Sequence, residues 1–475
     1  MTAAQRIAEW INRLELDDVP PDVAEHAKLH LLDALGCGLA ASALGVATEG
    51  RETMAELGGE EHATVIGLPS RLSSANAAFA NAMLCHGLDF DDTHPGAVAH
   101  VSVVTGPAAL AVGEQIHASG RDVLAALVAA NEIVTRVGMA GSGLFHARGF
   151  HPTAICGIFG ATAAAARLGG LHDDRVTSAL GIAGSLASGI FAYLEDGTPT
   201  KPIHPAWAAH GGVLAARLAR HGAEGPPSVL EGRFGLYHAF LGVSKGEIDL
   251  ESQLTDLGSR WETPRIAYKA YPACHFMHGS LGAVANAADG LAPEEVDEVV
   301  VTVPEAGVEL VLEPAASKRA PRSGYEAKFS LQYSAAAMIV NGAVGVSTYE
   351  PDAIADPRVL ELARRVRYET KTYPSYPGAF PGGVRIRTRD GRELEADLAH
   401  ERGSPDNPLP AGEVREKFRQ NAFLALDEEQ VEELEKAVLA LEDQSDVRLA
   451  LAPLRLRGGA RRRQRQRATP PAPAR

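Results

Sequence analysis

From the start of the chain to about residue 250, apolar side chains recur every three to four positions, the spacing of helices that each bury one face. In PPDVAEHAKLHLLDALGCGLAAS, Pro20 and Pro21 open a helix, and Val23, Ala27, His30 or Leu31, and Ala34 form its stripe. GPAALAVGEQIHASGRDVLAALVAANEIVTRVGMA reads as two helices broken at Ser119-Gly120, with Glu132 and Arg136 as an i,i+4 pair. LHDDRVTSALGIAGSLASGI continues the pattern, with Asp173 as the expected N-cap. Small residues at this density predict closely packed helices with few aromatics between them.

The pattern changes after WETPRIAYKAYPACHFMHGS. VDEVVVTVPE, residues 296–305, has the composition of a strand, and VRIRTRDGRELEADL alternates around Asp390-Gly391, a hairpin signal. YEAKFSLQYSAAAMIVNGAV and DPRVLELARRV between them predict helices. The chain then returns to helix: AGEVREKFRQNAFLAL, and DEEQVEELEKAVLALED with Asp427 and Gln430 at capping-box spacing. The expected architecture is mainly α with a smaller α+β domain. Residues 1–261 form the helical domain, 262–400 the α+β part, 401–454 helices packing back on the first domain, and 455–475 a disordered tail.

Composition narrows the function. With 475 residues, 45% of them hydrophobic, the chain can bury a large core. Residues 455–475 hold eight arginines and no acid, so subtracting them from the formal charge of −15 leaves −23 on the remainder. An acidic body argues against nucleic-acid binding. No run of eighteen uninterrupted apolar residues occurs, and the N-terminus lacks a basic flank followed by an apolar stretch. The expectation is a cytoplasmic protein that does not engage membranes. The four cysteines lie far apart without a CxxC pair, and are expected to be reduced.

Four polar clusters break the apolar background. HGLDFDDTHPGAVAH, residues 86–100, carries three imidazoles and three carboxylates; GFHPT holds His151; DGTPTKPIHPAWAAHGG holds Lys201, His204 and His210; YKAYPACHFMH holds Lys269, His275 and His278. DFDDTHP is not the DDxxD of a Mg²⁺-diphosphate site, and neither HExxH nor a tight HxH marks a zinc centre. GSGLFH lacks the third glycine of a dinucleotide loop, and GTPTKP is no Walker A sequence. For Asp91, Asp92 and His94, a reading as capping and surface polar residues competes evenly with chemistry. Lysines and histidines together can clamp a small polycarboxylate and move protons on it without a metal or other cofactor. Pro152 is expected to start a helix at N1, leaving His151 at its N-terminus with a lowered pKa and neutral, as a general base requires, with His100 as the candidate acid or second base.

These motifs, with AKFSLQYSAA and REKFR, resemble the MmgE/PrpD family in order and over nearly the whole chain. That family includes 2-methylcitrate dehydratase, cis-aconitate decarboxylase and iminodisuccinate epimerase. The resemblance implies a helical domain with an α+β lid, a homodimer, and a metal-free site in the cleft between domains. It carries the family's catalytic positions to Asp89, His100, His151 and Tyr333, and its substrate-binding positions to Thr93, Lys201 and Lys269. At YPACH an ungapped match brings Cys274, and a one-residue shift brings His275. His100 is followed by Val101 rather than proline, and the Trp-Gly-His-Pro insertion typical of 2-methylcitrate dehydratase is absent, which weighs against methylcitrate itself. The main expectation is a hydro-lyase acting on a di- or tricarboxylate. The alternatives are decarboxylation of a cis-aconitate-like acid or epimerisation on the same scaffold, and a carboxylate-binding protein without catalysis.

Overall fold

The computed structural model describes residues 1–141, 143–243 and 247–455. Seven helices of thirteen or more residues carry the architecture among the described residues: α1 (Pro21–Leu44), α2 (Ser74–His86), α3 (Ser102–Ile116), α4 (Gly120–Ala140), α5 (Pro152–Leu168), α6 (Asp173–Leu186) and α7 (Ile203–Arg220). Helix α5 is central and packs against α3, α4, α6 and α7. Its sequence, PTAICGIFGATAAAARL, is buried at every position but the last two.

Glycines and alanines explain how the helices come so close. A Cβ on Gly160 of α5 would stand 2.7 Å from the Ala130 carbonyl of α4, and one on Gly212 of α7 would stand 2.7 Å from the Thr162 nitrogen of α5. No larger side chain fits either crossing without moving backbone. Helices α1 and α4 are long and apolar enough to cross a membrane, but 83% and 94% of their most apolar windows are buried inside the protein. Both are accounted for as core helices.

A second core forms on a four-stranded sheet of β1 (Val296–Val303), β2 (Val366–Thr370), β3 (Gly382–Thr388) and β4 (Glu393–Leu398), in the order β2-β1-β3-β4. Strand β2 is parallel to β1, and the other pairings are antiparallel. The helix His278–Ala287 packs on β3 and β4. Buried side chains between residues 273 and 386 belong to this core, together with Tyr193 from the N-terminal half. Phe418, Val431, Leu434 and Val438 instead join the helical core, so the final helices do pack back on it.

Several local expectations are corrected. The N-cap of α6 is His172, and Asp173 occupies the first helical position, accepting from Asn12 at 2.7 Å. Asp427 caps its helix by accepting from the Gln430 N–H, but the Gln430 amide turns away to the Pro453 carbonyl, leaving the box half made. The run 325–344 is not one helix: Ser330 interrupts it and caps Leu331–Asn341 through the Tyr333 N–H. The helix from DPRVLELARRV ends at Ala363, and Val366 begins β2, a strand with no alternation of its own to announce it. The tail lies outside the described residues except Arg455, whose guanidinium donates to the Pro69 carbonyl.

Candidate active site

The loop after α2 turns sharply at Asp89, which adopts a left-handed backbone (φ 53°) that non-glycine residues seldom occupy. This places a buried carboxylate between two lysines. Lys201 Nζ donates to Asp89 Oδ1 at 2.9 Å and Lys269 Nζ to the same oxygen at 2.6 Å, while Lys269 also reaches the Asp89 carbonyl. Burial alone would raise the Asp89 carboxyl; the two ammonium groups outweigh it and hold it well below the usual range. Asp89 Oδ2 is buried without a partner. A third cation, Lys328, donates to the Leu88 carbonyl, and burial first of all lowers its pKa to about 8.

The neighbouring acids have distinct tasks. Asp91 lies between two imidazoles: His86 Nδ1 is 2.9 Å from Oδ1 and His100 Nδ1 is 3.0 Å from Oδ2. Asp92 accepts from the Val101 and Ser102 N–H groups at the start of α3. His94 is held by Glu262 at 3.1 Å and accepts from the Ala97 N–H. Asp92 and His94 therefore brace the loop, and Asp91 orients histidines.

The tautomer of His100 follows from its surroundings. Its Nδ1 faces the Asp92 carbonyl at 2.8 Å as well as Asp91, and both are acceptors, so the neutral ring carries its proton there. Nε2 keeps its lone pair, 4.0 Å from Asp89 Oδ1. Burial, reinforced by Lys201 and opposed by Asp91, lowers this imidazole to about 4. His100 thus offers a base to the cavity, whereas its sequence position had suggested an acid as readily.

His151 stands at the N-cap of α5 with Pro152 at N1, as expected. Its pKa is lowered well below the ordinary value, but the main cause is burial, followed by His204 and Lys201, rather than the helix terminus alone. Its Nδ1 faces Nδ1 of His204 at 3.0 Å. Thr93 exchanges backbone hydrogen bonds with Ala267 at 2.9 and 2.8 Å, tying this loop to the segment that carries Lys269.

These groups meet in a cavity of about 50 Å³ lined by Thr93, His100, His151, Lys201, Lys269, Cys274 and His275, together with Phe191, Tyr193, Phe276, Phe329 and Phe380. Cys274 and His275 both line it, so the two readings of YPACH are compatible. Of the catalytic and binding candidates, Asp89 lies behind the lining, against Lys201 and Lys269, and Tyr333 lies away from it altogether. Its helix directs the ring into the second core, where the hydroxyl donates to the Thr348 carbonyl at 2.8 Å. The tyrosine on the cavity is Tyr193, from an unremarked loop, and His146 joins it.

His86, His100 and His151 could offer nitrogens to one ion, as could His86, Asp89, Asp91 and His100. The donor set suits a cation poorly. Asp89 is engaged by two ammonium groups, Asp91 by two imidazoles, and the same ammonium groups would repel a metal placed beside them.

The sequence profiles of the MmgE/PrpD N-terminal and C-terminal domains match residues 5–249 and 271–443. The chain belongs to the MmgE/PrpD family. Among MmgE/PrpD proteins it is 30% identical over 464 residues to the cis-aconitate decarboxylase-like protein oryM of Aspergillus oryzae, covering 94% of this chain and 96% of that protein. It is 28% identical to the cis-aconitate decarboxylase of Aspergillus terreus, covering 93% of each chain. With the cis-aconitate decarboxylase of Homo sapiens it shares 30% identity over 93% of this chain and 92% of that one.

Proposed function

We propose that this protein is a cofactor-independent carboxy-lyase that decarboxylates a cis-aconitate-like di- or tricarboxylic acid. The observation that carries this reading is the likeness to cis-aconitate decarboxylases over nearly the full length of both chains. It moves the preference from dehydration, the main expectation from the motifs, to decarboxylation on the same scaffold.

The cavity supports the chemistry. Substrate carboxylates would take up hydrogen bonds from Lys201 and Lys269, which Asp89 now holds in readiness. As the C–C bond to one carboxylate breaks, CO₂ departs and its electron pair spreads toward a conjugated carboxylate clamped by an ammonium group. An imidazole N–H then delivers a proton to carbon. The aromatic wall excludes water from the developing charge, which strengthens every ionic contact.

The test is NMR of purified protein in D₂O with cis-aconitate, citrate, 2-methylcitrate and alkyl-substituted analogues. Loss of CO₂ with deuterium entering the product is the expected result. Loss of water instead would restore the dehydratase reading, and turnover of none would remove both.

A further inference from the structure

We propose that His204 is a positioning residue that keeps His151 neutral as it gives up its proton, the two imidazoles sharing one proton between facing Nδ1 atoms. His151 and His204 come from different elements, the N-cap of α5 and the first turn of α7, and their Nδ1 atoms are 3.0 Å apart. Two lone pairs at that distance repel and two N–H groups clash, so one ring must donate and the other accept.

The consequence reaches the cavity. When His204 donates, the neutral His151 ring carries its own proton on Nε2 and is an acid there. When His151 donates, its Nε2 is a base. His100 has no such choice, because two acceptors fix its proton on Nδ1.

Passing between the two states lets His151 give up its proton without becoming an imidazolate, and the reverse passage restores the acid. His151 Nε2–H gives its proton to the carbanion left by CO₂, the proton on His204 Nδ1 crosses to His151 Nδ1, and His204 takes one from water at Nε2; once product has left, water entering the cavity reprotonates His151 Nε2 while the relay runs back through His204 to solvent. Both rings begin and end neutral, and solvent supplies the proton consumed. His204 itself is buried, with 7% of its surface exposed.

The groups facing His204 keep it uncharged. Burial first, then His86 on α2 and Lys201 ahead of α7, lower it to about 4, and the Tyr193 ring packs against it with centroids 5.8 Å apart. On the remaining side stands Gly189, where a Cβ would come within 3.3 Å of the imidazole Cγ.

The kinetic part of this inference rests on the decarboxylase reading; the tautomer part does not. In ¹⁵N-histidine NMR of the full chain at pH 7, one ring of the pair should be the Nδ1–H tautomer and the other Nε2–H, with scalar coupling across the N–H···N bond. Two Nε2–H rings without coupling would overturn the proposal. With a substrate that wild type turns over, His204→Phe should lower kcat about 10- to 100-fold with KM within about twofold, and increase the solvent isotope effect. His204→Gln, which can bond to His151 but cannot pass a proton through, should be equally slow. Wild-type kcat in either variant would also overturn it. If no acid is turned over, the function reading fails and the NMR result still decides the role of His204.

Discussion

The two walls of the cavity are built on opposite principles. On the helical wall the titratable groups come in partnerships: Asp89 with Lys201 and Lys269, Asp91 with His86 and His100, His151 with His204. On the wall from the second core, Phe276, Phe329 and Phe380 dominate, and both ring nitrogens of His275 are buried without a hydrogen bond. Paired groups have defined proton positions, and aromatic faces supply shape and dryness. The difference assigns proton transfer to the helical wall and enclosure to the other.

The hardest blow to that division is a swap of histidine losses. General acid-base catalysis contributes about 10²- to 10⁴-fold, so His151→Ala should lose that much in kcat with little change in KM, while His275→Ala should lose less than about tenfold. Equal losses, measured in steady-state assays on folded protein, would erase the distinction between the walls.

Next come the lysines. A charge-assisted contact contributes about 1.5–3 kcal/mol, so Lys201→Ala or Lys269→Ala should lower kcat/KM by about 10- to 150-fold. Each also strands part of the Asp89 charge, and the wholly buried Lys269 should cost more in melting temperature than Lys201. An unchanged kcat/KM in either variant would remove that lysine from substrate binding.

Much of this site could be read from the amino-acid order, and the failures are instructive. His151 was legible because Pro152 both starts α5 and fixes where the imidazole stands. Lys201 and Lys269 were legible as charges without charged neighbours and Asp89 through its motif, but not as one cluster, since the contacts join residues 112 and 180 positions apart. The His151–His204 contact was hidden for the same reason, across 53 positions. Tyr333 misled because a helix motif does not reveal which way its first turn faces; Ser330 as N-cap sets that rotation and sends the ring to Thr348. Strand β2 was missed because its place is set by parallel pairing with β1, not by its own pattern.

Glu401 sharpens the comparison from the dry side. Its carboxyl, beside His275 at 3.6 Å, is raised by burial to about 7. A carboxyl raised on folding stabilises the protein below its unfolded pKa, and that contribution disappears as pH climbs through the folded value. Stability should therefore fall by up to about 3 kcal/mol between pH 4.5 and 8, and Glu401→Gln should flatten the dependence of melting temperature on pH. An identical slope in wild type and variant would show that Glu401 does not titrate in this window. The smallest expected effect is that of chelation: dialysis against EDTA should leave turnover unchanged, and recovery of lost activity by Zn²⁺, Fe²⁺ or Mg²⁺ would reopen the imidazole cluster as a metal centre.

The central claim, that the helical wall protonates the carbanion left by CO₂, is tested most directly by single turnover in D₂O with cis-aconitate, comparing wild type with His151→Ala. Wild type should release CO₂ and place one deuterium on a carbon of the product in step, and His151→Ala should do so about 10²-fold or more slowly. Deuterium delivery at the wild-type rate in His151→Ala, or water loss in place of CO₂ from the wild type, would contradict the account.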